Sequence, residues 1–133
     1  MVNKKNVVKI DDRVGDFINR LKNASAVNKT SVTVTHTKML QAIAEVLKQE
    51  GYVSSYEKAG KGIEKHLVVE LAKPVNYAKR VSKPSRRLYS SAKNAPVGQG
   101  GRGITVLSTP KGIMTSSKAK SEHVGGEILF TIV

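Results

Sequence analysis

Ser31-Val32-Thr33-Val34-Thr35 is followed, after His36, by Thr37-Lys38-Met39-Leu40-Gln41-Ala42-Ile43-Ala44-Glu45-Val46-Leu47-Lys48-Gln49-Glu50-Gly51, and the change of period between the two runs decides the fold class. The first run alternates strictly and is rich in β-branched residues, which predicts a half-buried strand. The second sets Met39, Leu40, Ile43, Val46 and Leu47 on one face of a helix that begins at Thr37 and meets a natural stop at Gly51. Upstream, Val14, Phe17, Ile18 and Leu21 fall at the i, i+3, i+4, i+7 positions of another helix, from residue 12 to about Asn23. Asp12 stands near its start, and Asp16 and Arg20 pair on its outer face.

Downstream, Tyr52 to Glu57 and Ile63 to Leu71 read as two more strands, joined by the glycine-containing loop Lys58 to Gly62. Leu67, Val69 and Leu71 mark the buried side of the second. The expected unit is an α-β-α-β-β lobe whose two helices cover one face of a three-stranded sheet. It ends near Leu71, with Lys73-Pro74 as the boundary, so residues 1–73 form an N-terminal lobe and 74–133 a C-terminal one.

The second half reads as mainly β with one short helix. Tyr77 to Ser82 is expected to pair with Arg86 to Ser91 across Lys83-Pro84-Ser85, a turn suited to proline. Ile104 to Leu107 reads as a strand running into a loop, Ser108 to Thr115. A helix from Ser116 to His123 follows, capped by Thr115 and stopped by Gly125-Gly126. Glu127 to Val133 closes the fold as a strand with Ile128, Phe130 and Ile132 on one face.

Composition narrows the partners. The chain has 133 residues and a net charge of +13. Residues 1–72 hold 12 Lys/Arg against 8 Asp/Glu, whereas residues 73–133 hold 11 against 2. Such an excess, with acids so scarce in the second half, points to a polyanion bound by that half, and nucleic acid comes first. Cysteine is absent, which removes disulfides, thiolate nucleophiles and Cys-based zinc sites. No apolar run is long enough to span a bilayer and the start lacks a signal-peptide core, so a soluble cytoplasmic protein is expected.

Three stretches carry candidate contacts. Lys79 to Tyr89 places Lys79, Arg80, Lys83, Arg86 and Arg87 beside an aromatic ring, the combination an RNA surface uses on backbone and unstacked bases. Tyr89 itself could equally sit in the core. Ser108-Thr109-Pro110-Lys111-Gly112 offers hydroxyls, a mobile cation and a backbone open to close approach; an ordinary turn calls for the same residue types. Glu127, just after Gly125 and Gly126, could accept from a base amino group or remain a surface acid. Gly98-Gln99-Gly100-Gly101-Arg102-Gly103 matches G-x-G-x-x-G but feeds a strand instead of opening a helix, so it is not a dinucleotide site. Arg102 could still meet a phosphate.

Catalysis finds little support. His36, His66 and His123 lie in three separate segments, the second half has only two acids, and Asp11, Asp12 and Asp16 fit a capped helix turn. No metal, cofactor or small-molecule substrate is expected. An RNA-processing enzyme or a nucleoid DNA-binding protein are the alternatives, the latter without a groove-inserting element.

Ser108-Thr109-Pro110-Lys111-Gly112-Ile113-Met114-Thr115 with Gly125-Gly126-Glu127-Ile128 resembles the C-terminal signature of the S-eight family of small-subunit ribosomal proteins. Asp16 to Asn23, Met39 to Gly51, Arg80 to Pro84 and Arg86 to Tyr89 resemble the family's other segments, in order. The resemblance implies an α+β protein of two packed lobes in the cytoplasmic ribosome that binds the central domain of small-subunit ribosomal RNA and supports its assembly beside neighbouring ribosomal proteins. It implies contacts at Ser108, Thr109, Lys111 and Gly112, with Tyr89, Gly125, Gly126 and Glu127 close by. Lys83, Arg86, Arg87 and Arg102 add charge, and Lys29, Thr30 and Lys38 form a secondary set. Pro110 departs from the pattern, since many bacterial relatives carry a hydroxyl there.

Overall fold

The computed structural model describes residues 12–60, 65–96 and 102–133. Helix α1, Arg13–Ala26, starts where the Asp12 side chain accepts from the Gly15 N–H at 3.0 Å, and Asp16 pairs with Arg20 at 3.0 Å on its outer face. It outlasts the expected end at Asn23 because Ala24 adds another buried position to the stripe of Phe17, Ile18 and Leu21. Strand β1, Ser31–Thr35, buries Val32 and Val34 and exposes its three hydroxyl residues, as its alternation requires.

Helix α2, Lys38–Gln49, is capped by Thr37, whose hydroxyl accepts from the Leu40 N–H at 3.0 Å. Leu40, Ile43, Val46 and Leu47 are buried, but Met39 is not part of that stripe: it is 37% exposed and lines an open cleft between the lobes. Gly51, one residue past the cap, takes a φ of +88°.

Strands β2, Val53–Ala59, and β3, His66–Leu71, complete an antiparallel sheet of order β1-β3-β2. β2 keeps Lys58 and Ala59, expected in the loop, which pair with Leu67 and His66. Lys61 to Glu64, including Ile63, lie outside the described residues.

The second sheet contains β4 (Ala78–Arg80), β5 (Tyr89–Ser90), β6 (Ile104–Thr109), β7 (Gly112–Thr115) and β8 (Gly126–Ile132), with the short helix α3 (Ser116–Ser121) after β7. Its order is β4-β8-β6-β7, with β5 also on β8. Four expectations are corrected here. Residues 77–82 and 86–91 do not form a hairpin; only Lys83 and Arg86 pair, and the two arms lie end to end along β8. The Ser108–Thr115 stretch is no loop before a helix but a hairpin, with Thr109 opposite Gly112 and only Pro110-Lys111 between. The turn after α3 is made at His123, with a φ of 58°, and not at the glycine pair. In β8, Leu107 of β6 faces Ile128 while Val106 faces Phe130, so Leu129 is an extra residue in a bulge. The bulge sends Ile128 into a small cluster with Leu107, Met114 and Ala119, away from Phe130 and Ile132.

Phe130 and Ile132 instead join Val106 and Leu129 in a core continuous with Phe17, Leu21, Ile43, Leu47 and Val69 of the first lobe. Full burial of each such side chain contributes roughly 1.5–3 kcal/mol, so the lobe junction carries stability of its own. Polar links reinforce it. The Tyr52 hydroxyl donates to the Ile132 carbonyl at 3.3 Å, the Val75 N–H donates to Ser25 Oγ at 2.7 Å, and Arg80 pairs with Asp12.

Candidate nucleic-acid interface

The start of β8 is where the separate contact candidates meet. Glu127 pairs with Ser108 of β6 on one side and with Tyr89 of β5 on the other, and Gly126 pairs with Ser90. A Cβ on Gly126 would fall 2.1 Å from the Ser108 carbonyl oxygen, and one on Gly125 2.5 Å from that of Ser90. These glycines are therefore needed for close strand approach.

On the β5 side, a basic turn is tied to β8 at both ends. Ser82 N–H donates to the Ile128 carbonyl at 3.0 Å, and Ile128 N–H donates to the Leu88 carbonyl at 2.9 Å. Between these ends Lys83 and Arg86 exchange two backbone hydrogen bonds of 2.9 Å. Lys83, Arg86 and Arg87 are all exposed. Arg87 reaches back to Glu127 at 3.0 Å, and the Ser82 hydroxyl also donates to Glu127, whose side chain is only 17% exposed. Glu127 is thus neither an isolated surface acid nor a free acceptor. Tyr89 is 69% exposed and does not enter the core. Arg80, by contrast, is committed to Asp12 and to the Ser82 carbonyl.

On the β6 side, the hairpin tip is closed by Thr109. Its hydroxyl donates to the Gly112 carbonyl at 2.8 Å and accepts from the Lys111 N–H at 3.1 Å. Gly112 takes a φ of +120°, a conformation that disfavours any side chain. Lys111 projects from the tip and stands 4.0 Å from Glu122, both partly exposed, a weak pair in high dielectric.

Other candidates are not gathered here. Arg102 precedes β6 at the end opposite Ser108, about 20 Å away along the strand at 3.3 Å per residue. Gly103 packs against the Ile132 carbonyl, and the glycines at 98, 100 and 101 lie outside the described residues. Lys29 and Thr30 precede β1 while Lys38 opens α2, so this secondary set is split between the two ends of one strand. Sequence reasoning passed over Ser82, a buried hydroxyl at 5% exposure, because nothing in its local pattern separates it from a turn serine.

The resolved pKa shifts lie elsewhere. The Tyr56 hydroxyl donates to Glu45 at 2.8 Å, which holds that carboxyl below its ordinary value and pushes the Tyr56 phenol up. Burial raises Tyr52. Among the described residues no three His, Asp or Glu side chains come together as a metal site, and no described helix is long and apolar enough to cross a membrane.

Exposed cations and the bare Tyr89 ring around a tightly paired sheet end make this a basic α+β domain with a surface suited to a polyanion. The sequence pattern of the family described as Ribosomal protein S8 matches residues 12–133. Two proteins named small ribosomal subunit protein uS8, from Crocosphaera subtropica and Rippkaea orientalis, are each 44% identical to the chain over 126 residues, covering 90% of it and 95% of the relative. A third, from Thermosynechococcus vestitus, is 39% identical over 127 residues, covering 90% and 96%. The chain belongs to the ribosomal protein S8 family. It is a structural component of the cytoplasmic ribosome and not an enzyme, set among ribosomal RNA and other subunit proteins.

Proposed function

We propose that the chain binds the central domain of small-subunit ribosomal RNA directly and supports the assembly of that domain, with the C-terminal lobe, from about residue 74, as the binding half. The observation that carries this reading is the pairing of Ser108 and Tyr89 with the same residue, Glu127, which brings segments far apart in sequence to one end of a sheet. In this reading Lys83, Arg86, Arg87 and Lys111 meet phosphates, the Tyr89 ring stacks on an unpaired base, and Ser108 with the open Gly112 admits the sugar-phosphate chain closely, while Gly125 and Gly126 let β5 and β6 close on β8. Thr109 supports the tip through its hydroxyl. Glu127 contributes through the Ser82 hydroxyl and the Arg87 guanidinium that it holds. Arg102, Lys29 and Lys38 contribute long-range attraction only, and Thr30, which is uncharged, offers no more than a hydroxyl beside Lys29.

An A-form major groove is too narrow for side chains, so the bound site is an irregular helix with exposed bases. The test is recovery of RNA cross-linked to the protein in cells. Fragments confined to one region of the central domain support the reading, and fragments spread over messenger RNA or DNA overturn it.

A further inference from the structure

We infer that Ser82, acting with Glu127, is a positioning residue that holds the basic turn in shape for RNA without touching the RNA itself; the inference rests on the proposed role of the turn. Ser82 is 5% exposed, yet its hydroxyl has two partners: it accepts from the Leu88 N–H at 3.1 Å and donates to Glu127. Leu88 and Ser82 bracket Lys83, Arg86 and Arg87, so this one oxygen closes the turn across its base. The backbone bonds of Ser82 and Leu88 to Ile128 fix the same two points to β8.

Glu127 completes the device. Its Oε2 accepts from both Ser82 and Arg87, the latter at 3.0 Å, so it orients a cation and anchors the closing hydroxyl together. Three cations held in one compact turn repel one another, and an unpinned turn would splay them. The hydroxyl and the carboxylate offset that tendency before RNA arrives, which lowers the ordering cost of binding. Thr109 plays the comparable part in the other tip, but there the hydroxyl belongs to the turn's own strand pair and needs no second element.

The experiment is a set of binding cycles with the full chain, using an internally looped hairpin from the small-subunit central domain and a plain duplex of equal length. Arg86→Ala/Arg87→Ala first measures the turn's own contribution; if it leaves binding unchanged, the role of the turn in the proposed function fails before the inference is reached. Given that the turn contributes, Ser82→Ala is expected to weaken looped-hairpin binding about tenfold in the native background and less than about twofold in the Arg86→Ala/Arg87→Ala background, because its effect passes through those cations. An equal loss in both backgrounds, or none in either, overturns the inference. Amide exchange at Leu88 in the free protein supplies a second measure, expected to quicken in Ser82→Ala while amides of the Thr109–Gly112 tip keep their rates. Should Ser82→Ala fail to fold, Glu127→Gln keeps an acceptor for Ser82 and removes the ion pair; its loss should then vanish in an Arg87→Ala background, and persistence there counts against the inference.

Discussion

The two lobes use their sheets in opposite ways. In the first, β1 buries Val32 and Val34 against the helices and leaves Ser31, Thr33 and Thr35 in water. In the second, β8 is buried from Ile128 to Ile132, with the main core on one side and the Leu107, Met114 and Ala119 cluster on the other. The first sheet has its register shift on the edge strand β2, between Val53 and Ser55, whereas the second has its shift at the central strand β8, which pairs on both edges. The second lobe uses both edges at Glu127, where β5 and β6 converge and the cations of the basic turn are held. The half with the larger charge excess is thus the half whose central strand gathers three others, β4, β5 and β6, along its length.

The largest effect is expected from the junction. Phe130 is fully buried in the core shared by both lobes, so Phe130→Ala should cost about 3–5 kcal/mol in denaturant unfolding. Both lobes should lose structure in one transition; a first lobe that unfolds at its native denaturant concentration would show the lobes to be separate units.

Tyr89→Ala removes an exposed ring and leaves the core untouched. It should cost RNA binding about 1–3 kcal/mol, the value of one stacked base, with no change in unfolding midpoint. Loss of stability with binding retained would assign the ring to the fold instead.

Tyr52→Phe tests the polar side of the junction. Removing the hydroxyl that donates to Ile132 should cost about 1 kcal/mol, read as a shift in midpoint with an unchanged slope. The same hydroxyl predicts a pH effect. Its pKa is raised chiefly by burial, so folding favours the protonated form; that contribution is complete below the ordinary tyrosine value and is lost as pH rises through the higher folded value. Alkaline unfolding of Tyr52→Phe should lack that component.

The smallest change belongs to Lys111, exposed at the hairpin tip. Lys111→Ala should weaken looped and plain RNA alike and reduce the salt slope by roughly 0.7–0.9, one phosphate contact. A loss confined to the looped RNA would mean that Lys111 reads a base.

Legibility followed the same division. The first lobe was readable where an element shows one period: β1 covers Ser31–Thr35 as its alternation requires, and the helices begin one residue past Asp12 and Thr37, which cap them, while β2, without that alternation, runs two residues past its expected end. Met39 escaped because helical spacing gives a face but not what covers that face. The second lobe was harder. Pairing of β4 and β5 with β8 is a long-range choice that a proline turn does not specify, and a bulge at Leu129 leaves no mark in a run of apolar residues. The candidate contacts were visible as residue types in three segments, but their meeting at Glu127 depends on register, and the closing role of Ser82 depends on burial.

Mapping the peptides of this chain that cross-link to central-domain ribosomal RNA in the purified complex tests directly whether the β8 end is the binding face. Cross-links at Tyr89, at the turn from Lys83 to Arg87 and at Lys111, with Lys29, Lys38 and the open face of β1 unlabelled, are the expected result. Cross-links concentrated on β1, Lys29 and Lys38, with the β8 end bare, would contradict it.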